Sequence, residues 1–296
     1  MDDRVTLVEV GLRDGLQNEK TPVGPRQRAE WFNALVAAGH RRIEAGSFVS
    51  PKWVPQMAGT AEVMSLIHRP DHVTAEVLVP NQKGLDAALQ TSAEGVAVFT
   101  AASEGFNRKN INCSIEESIE RFRPVVKGAK AAGRRVRGYI SCVVGCPYEG
   151  RIRPAQVARV TDRLLELGVD EISLGDTIGV ARPREIHDLL DAVVPDTGTG
   201  VLALHCHDTY GQAIANITAG LERGIRIFDS AVAGLGGCPY ARGATGNVAT
   251  EDVLYLLEGE GYETGVDLRQ IAEVGGAICR TLARENPSRT GRALLT

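Results

Sequence analysis

Short apolar runs alternate with longer amphipathic stretches from one end of the chain to the other. The apolar runs are rich in valine and isoleucine, a composition that favours buried β-strands. The stretches between them repeat apolar residues at three- and four-residue spacing, which predicts helices with one buried face. The predicted strands are residues 5–10, 42–45, 73–79, 96–99, 136–140, 171–174, 201–207 and 226–230, and the clearest helices are residues 26–38, 115–132, 155–167 and 184–193.

The regular alternation predicts an α/β fold, a closed parallel (β/α)8 TIM barrel. About eight strand–helix units fit within the 296 residues, as this architecture requires. Several helical stretches end at a glycine, such as Gly39 or Gly168, which closes a helix at little steric cost. The competing open, doubly wound sheet usually carries a G-x-G-x-x-G turn after its first strand, and residues 10–15 lack it. We expect one domain over residues 1–296, with a C-terminal helical extension over about residues 249–296 that closes the mouth region.

Composition and charge limit the classes of partner. The chain is 43% hydrophobic and 24% charged, as in ordinary globular proteins, and its net charge is −4 with the basic residues dispersed. This pattern argues against nucleic acid or an anionic membrane as the main partner. The six cysteines form no C-x-x-C pair, which indicates reduced thiols. Without a signal-like segment or a membrane-length apolar run, we expect a cytoplasmic location.

Polar residues gather where the predicted strands end. In barrels of this type, side chains at the carboxyl ends of the strands form the active site. The polar residues found there are Arg13, Asp14 and Gln17 after the first strand, Glu44 in the second, Arg137 and Tyr139 in the fifth, Asp176 in the sixth, and His205, His207 and Asp208 at the seventh.

His205 and His207 are the most informative pair. Residues two apart in a strand point to the same side, so both imidazoles face the barrel interior while Cys206 faces the helices. Two inward histidines at a mouth form a common metal or acid–base arrangement. The alternative is a pair of buried histidines that are merely satisfied by hydrogen bonds. The adjacent Asp208 favours the functional interpretation.

Asp14 and Asn247 are the natural oxygen donors to join a histidine. One imidazole, one carboxylate and one amide oxygen with open positions suit Mg²⁺ or Mn²⁺ better than a closed zinc cage. Arg13 could form a simple surface ion pair with Asp14. Its position after the first strand instead favours a guanidinium that stabilises an oxygen becoming negative during reaction.

A glycine-rich loop follows the eighth predicted strand. Gly234, Gly236 and Gly237 precede Cys238, so the loop can fold over the mouth, and a thiol can pass a proton. A lone cysteine is more often a packing residue. The position of Cys238, after the last strand and shortly before Asn247, favours a catalytic role.

Five long motifs occur in order: EVGLRDGLQNE (residues 9–19), SFVSPKWVPQM (47–57), SLGDTIG (173–179), HCHDTYGQ (205–212) and GLGGCPYA (234–241). KNINCS (109–114) adds a sixth. From about residue 5 to about residue 282, the sequence resembles the 3-hydroxy-3-methylglutaryl-CoA lyases. The resemblance implies a divalent-metal-dependent enzyme that cleaves this thioester into acetoacetate and acetyl-CoA.

The resemblance also implies a role for each site residue. The metal ligands are then Asp14, His207 and Asn247. The catalytic residues are Arg13, Asp14, Glu44, His205 and Cys238, with either Asp14 or His205 as the general base. Gln17, Arg137, Tyr139, Asp176 and Glu251 contact the substrate or support these groups. The family usually has proline where Leu12 stands, a change that leaves Arg13 and Asp14 available.

Two other functions are compatible with such a barrel. Condensing synthases that join acetyl-CoA to a 2-oxo acid share the Arg-Asp pair and the H-x-H strand, but typically carry a long region after the barrel, whereas only about fifty residues follow Asn247 here. An inactive binding scaffold would have lost mouth residues, and all six of Arg13, Asp14, Glu44, His205, His207 and Cys238 are present. The resemblance also implies an acyl-CoA substrate and a homodimer, for which the apolar turns of residues 267–282 are a candidate interface.

Overall fold

Eight parallel strands hydrogen-bond in chain order and close into a barrel, which confirms the predicted fold class. The computed structural model describes residues 3–237 and 246–296. Each barrel strand pairs with the next, and the last pairs with the first. The barrel strands are β1 (Thr6–Glu9), β2 (Arg42–Ser47), β3 (Thr74–Leu78), β4 (Gly95–Ala101), β5 (Arg135–Ser141), β8 (Glu171–Asp176), β9 (Leu202–Cys206) and β10 (Ile227–Ser230).

Helices connect the strands and cover the outside of the barrel. Where the sequence allows it, their starts carry recognisable caps: Ser114 accepts from the Glu117 amide at 3.1 Å, and Glu117 accepts from the Ser114 amide at 2.7 Å. Proline stands in the first turn of three of them. The helices are α1 (Pro25–Ala37), α2 (Thr60–Leu66), α3 (Gln82–Ala88), α4 (Glu104–Ile111), α5 (Ile115–Ala131), α6 (Pro154–Glu166), α7 (Pro183–Thr197), α8 (Ala213–Glu222), α9 (Thr250–Gly259), α10 (Leu268–Thr281) and α11 (Arg289–Leu295).

A small antiparallel hairpin, β6 (Gly145–Cys146) with β7 (Gly150–Arg151), stands outside the barrel. It lies in the loop after β5, at the mouth, and the apolar periodicity did not predict it. Glu149 in its turn accepts a hydrogen bond from the Gly105 amide at 2.6 Å. The hairpin therefore ties the loop after β5 to α4, which follows β4.

Two backbone irregularities lie next to the predicted site residues. The pairing of β2 with β3 shifts by one residue between Glu44 and Gly46, as in a β-bulge. After β1, Gly11–Gly15 forms a π-helical turn in which the Val10 carbonyl accepts from the amides of Arg13 and Gly15. A side chain on Gly15 would bring its Cβ within 2.7 Å of the Leu235 Cβ, so this turn requires glycine for its close approach to the loop after β10.

The last two helices pack beside the mouth. α10 contacts α1, α9 and the 3₁₀ turn Val232–Gly234 that follows β10, and α11 contacts α9 and α10. The apolar residues of α10, including Ile271 and Ile278, are buried within the chain itself. That face is therefore occupied, and the candidate dimer interface over residues 267–282 would have to use other side chains. Among the described helices, none is long and apolar enough to cross a membrane.

The barrel interior contains charged side chains as well as apolar ones. Below the mouth, a set of buried ion pairs crosses the barrel, and we name it the interior ion-pair layer. Its contacts are short: Arg42 lies 2.8 Å from Glu76 and 2.9 Å from Glu171. Buried charges destabilise unless they are paired and hydrogen-bonded, and each carboxylate here has at least one arginine. The layer consists of Arg42, Glu76, Arg137, Glu171 and Asp229.

Candidate active site

Asp14, His205 and His207 converge at the mouth of the barrel. One ligand atom from each residue lies within 4.8 Å of the others. The two imidazole rings are 5.2 Å apart and both are buried, which confirms that they face the interior. Asp14 reaches them from the π-helical turn after β1. This spacing allows the three side chains to share one cation.

Asn247 and Gln17 complete the surroundings of Asp14. The Asn247 amide donates to Oδ2 of Asp14 at 3.0 Å, and the Gln17 amide donates to Oδ1 at 3.3 Å. Asn247 also pairs with His207 through a backbone bridge between their two segments. The structure therefore brings the three predicted metal ligands, Asp14, His207 and Asn247, to one place. It adds His205 to the same group.

The protonation states of these groups suit cation binding. Burial alone would raise the pKa of Asp14, but Arg13, His205 and His207 outweigh it and lower that pKa to about 2. Burial and the neighbouring His205 lower the pKa of His207 to about 4. At neutral pH the cluster thus offers a carboxylate and a neutral imidazole, the forms that bind metals. Nδ1 of His207 is buried and has no hydrogen-bond partner among the described residues, so this nitrogen is available as a metal ligand.

Arg13 is held between two carboxylates. Its Nε lies 2.6 Å from Oε2 of Glu44, and its Nη1 lies 2.5 Å from Oδ1 of Asp14. The guanidinium also stacks over the Tyr139 ring, 5.1 Å from its centroid. A buried, oriented guanidinium of this kind can stabilise an oxygen that gains negative charge. Burial raises the pKa of Glu44, while Arg13 opposes that rise.

Arg137 and Tyr139, both in β5, lie deeper in the barrel than Glu44 and Arg13. Arg137 donates to the Tyr139 hydroxyl at 3.0 Å, and that hydroxyl donates to Glu44 at 3.3 Å. Tyr139 also meets the His205 ring edge-on, with the centroids 6.1 Å apart. The two residues therefore support Glu44, Arg13 and His205 from beneath.

Comparison with known proteins agrees with this geometry. A family model described as HMGL-like matches residues 4–278. A Pseudomonas aeruginosa protein named 3-hydroxy-3-isohexenylglutaryl-CoA/hydroxy-methylglutaryl-CoA lyase is 56% identical over 292 residues, which cover 99% of this chain and 97% of the relative. The chain belongs to the hydroxymethylglutaryl-CoA lyase family. The resemblance seen in the sequence motifs is confirmed.

Solved structures of hydroxymethylglutaryl-CoA lyases superpose on the whole chain. The crystal structure of the enzyme from Pseudomonas aeruginosa matches with a TM-score of 0.98 and 55% identity, covering 100% of this chain and 98% of that one. An HMG-CoA lyase from Acinetobacter baumannii, solved in complex with coenzyme A and 3-methylmalate, matches with a TM-score of 0.94 and 34% identity, covering 98% and 95%.

Two predicted site residues serve the backbone in this lyase-family barrel. Asp176 accepts from the amides of Val180 and Ala181 at 3.1 and 2.9 Å and so shapes the turn after β8. Both oxygens of Glu251 accept from the Ala233 amide, at 3.1 and 2.9 Å. Burial raises the pKa of Asp176 to about 6 and that of Glu251 to about 8. Neither has a hydrogen bond to Asp14 among the described residues.

Sequence reasoning missed two buried acids of this family member. Glu9, at the end of β1, accepts from the amides of Gly11 and Val232 and from the Thr250 hydroxyl. Asp229, in β10, accepts from His205 and from Arg137. Both are acidic residues within short apolar strands, and that signal could have identified them. Cys238, predicted as a catalytic thiol, lies outside the described residues.

Proposed function

We propose that this protein cleaves 3-hydroxy-3-methylglutaryl-CoA into acetoacetate and acetyl-CoA with the help of a divalent cation. The observation that carries the proposal is the convergence of Asp14, His205 and His207 beside the oriented Arg13 at the mouth. Membership of the family supplies the substrate, since its relatives are named for this thioester.

Asp14, His207 and Asn247 would hold the cation, and His205 lies close enough to join them. Oxygen and imidazole donors with one ionised carboxylate suit Mg²⁺ or Mn²⁺. When bound, the cation would lower the pKa of the substrate's tertiary hydroxyl and fix its orientation. Arg13 contacts Oδ1 of Asp14, whereas Oδ2 accepts from the Asn247 amide and has no charged partner within 3 Å among the described residues, so a second positive group could approach Oδ2.

The remaining steps fall to the side chains. A base removes the proton of the tertiary hydroxyl, the C2–C3 bond breaks, and C3 becomes the ketone carbon of acetoacetate. Of the two bases left open by the sequence, we favour His205, because the low pKa of Asp14 makes that carboxylate a weak base. The bonding electrons pass into the thioester enolate, whose oxygen Arg13 stabilises. Protonation of the enolate carbon by His205, or by the predicted Cys238 thiol, gives acetyl-CoA.

The test is acetoacetate formation by metal-stripped protein. We expect no product without metal, product after Mg²⁺ or Mn²⁺ is restored, and loss of product and of Mn²⁺ binding in His207→Ala. His72→Ala is the matched control, because His72 is exposed in the loop before β3, at the opposite end of the barrel. Calorimetric titration with Mn²⁺ reports the metal site independently of activity.

Failure has distinct forms. If no product appears with either metal while Mn²⁺ still binds, the substrate assignment is wrong, and condensation of acetyl-CoA with 2-oxo acids becomes the next assay. If His207→Ala binds Mn²⁺ as tightly as the unmodified protein does, the proposed ligand set is wrong. Including 3-hydroxy-3-isohexenylglutaryl-CoA tests whether the acyl pocket accepts the longer chain in the relative's name.

The cellular setting is also a proposal. Five cysteines are free and buried among the described residues, which supports a reducing compartment such as the cytoplasm. We expect the substrate to be an acyl-CoA and the protein to be a homodimer. Light scattering during size-exclusion chromatography would refute the dimer if the mass corresponded to one chain of 31.6 kDa.

A further inference from the structure

We propose that Asp229 is a positioning residue that holds His205 in the tautomer and orientation its chemistry requires. This inference rests on the proposed function, in which His205 carries the proton at the mouth. Asp229 would act only through the imidazole and the interior ion-pair layer. It would not touch substrate.

The two residues are neighbours in the barrel ladder. Asp229 of β10 and His205 of β9 are paired across the parallel strands, and both side chains point inwards. Nδ1 of His205 lies 3.1 Å from Oδ2 of Asp229. The other ring nitrogen, Nε2, lies 4.0 Å from Oδ2 of Asp14. Nδ1 of His205 therefore contacts Asp229, and Nε2 faces Asp14 in the candidate active site.

A carboxylate can only accept hydrogen bonds, so its partner nitrogen must carry the proton. Nδ1–H on the Asp229 side leaves the lone pair of a neutral ring on Nε2, where it can accept a proton from substrate or bind a cation. If the proton sat on Nε2 instead, the nitrogen facing Asp14 would have no lone pair. The contact with Asp229 thus decides which nitrogen is basic.

Asp229 is itself fixed by further contacts. Its Oδ1 accepts from Nη2 of Arg137 at 2.6 Å, and its Oδ2 accepts from the Ser173 hydroxyl at 2.8 Å. Arg137 is in turn held by Glu171 at 2.7 Å. All of these groups are buried. The carboxylate therefore cannot rotate away from His205 without breaking an ion pair inside the barrel.

These contacts make Asp229→Asn a sharp perturbation. The amide oxygen must face the donor Arg137, which places the amide NH₂ where Oδ2 was, against His205. The NH₂ group donates, so Nδ1 must accept and the proton moves to Nε2. The Ser173 hydroxyl can rotate to accept from the same NH₂ group. Size and packing are nearly unchanged, while the tautomer is inverted.

The decisive measurement is the ring-nitrogen NMR spectrum of ¹⁵N-histidine protein, with Mg²⁺ and with a chelator. The chain has six histidines, so the His205 signals are assigned by their loss in His205→Gln. We expect Nδ1–H in the unmodified protein and Nε2–H in Asp229→Asn. In the Mg²⁺-loaded enzyme we expect kcat of Asp229→Asn to fall at least about 100-fold, with KM within about threefold.

Two controls separate positioning from general support of the barrel. Ser173→Ala removes one hydrogen bond to Asp229 but leaves the carboxylate, and Glu76→Gln perturbs the far end of the interior ion-pair layer. Both should keep Nδ1–H and should retain kcat within about fivefold. In the His205→Gln background, Asp229→Asn should cause no further loss of kcat, because the two residues act as one unit.

The inference is overturned if His205 in the unmodified protein carries its proton on Nε2, a result that needs no folded variant. It is also overturned if Asp229→Asn keeps kcat within threefold, or if Glu76→Gln loses as much activity as Asp229→Asn. An unmodified protein that forms no acetoacetate would refute the proposed function alone, since the tautomer spectrum is read without substrate.

Discussion

The buried Glu251 should make the protein less stable as pH rises through neutrality, and Glu251→Gln should remove the contribution of this residue. Burial raises the pKa of Glu251 from 4.5 to about 8, with the nearby Glu9 adding to the rise. An acid with a higher pKa in the folded state takes up a proton on folding. The stabilisation is therefore complete below pH 4.5 and is lost as pH rises through 8.

The magnitude follows from the shift. Each pKa unit corresponds to about 1.4 kcal/mol, so Glu251 contributes a total loss of about 4 kcal/mol between pH 4.5 and pH 9. About 2 kcal/mol of that falls between pH 6 and pH 8. Glutamine stays neutral and can still accept from the Ala233 amide, so Glu251→Gln should gain about this amount relative to the unmodified protein over that window.

Urea unfolding of both proteins in parallel, at several pH values and with a chelator present, gives the difference directly. Groups that are not coupled to Glu251 titrate alike in the two proteins and cancel in the difference. Glu258→Gln is the matched control, since Glu258 is exposed on the same helix, and it should show no pH-dependent gain. Parallel stability curves for Glu251→Gln and the unmodified protein would refute the reasoning.

Two further predictions follow from close contacts. Gly275→Ala should lower the free energy of unfolding by about 1–3 kcal/mol, because the new Cβ would stand 2.4 Å from Oε1 of Glu251. Gly259→Ala is the control and should not lower it in this way, because a Cβ there would meet nothing within 4 Å. Equal thermal midpoints for the two variants would contradict the prediction. Glu44→Gln should lower kcat by roughly tenfold or more at nearly constant KM, because Nε of Arg13 loses a charged partner at 2.6 Å. Steady-state kinetics that show a raised KM with unchanged kcat would contradict this prediction and assign Glu44 to substrate binding.

The sequence predicted the barrel because periodicity and strand length carry that information. All eight predicted strands coincide with barrel strands to within three residues at each end, and the inward direction of His205 and His207 followed from strand alternation. The grouping of Asp14, His207 and Asn247 was predicted from positions after strands and from the family resemblance. Those residues meet because the carboxyl ends of all eight strands open on one face.

The sequence could not predict contacts that depend on the register between neighbouring strands. Asp229 stands opposite His205 only because β9 and β10 pair with that offset, and no local pattern fixes it. The same holds for Glu9, whose partners Val232 and Thr250 are more than two hundred residues away. Glu251 and Asp176 were predicted to contact the substrate or to support the catalytic groups, and the sequence did not predict which backbone amides beside the site their oxygens hold.

The mouth thus rests on two kinds of support, and they differ in what weakens them. His205 is held by Asp229. Burial alone would raise the pKa of Asp229, but the charge of Arg137 outweighs this effect and keeps that pKa far below neutrality. The Asp229 carboxylate therefore stays charged in its contact with His205. The turns that carry Asp14 and follow β10 are instead held by Glu9 and Glu251, whose pKa values of about 7 and 8 leave them partly protonated at neutral pH. Ionising a buried acid without a charged partner costs free energy, so mild alkali weakens the support of the turns first. Glu44 and Asp229 keep their contacts under the same conditions, because each of these strand-borne carboxylates already has a guanidinium partner.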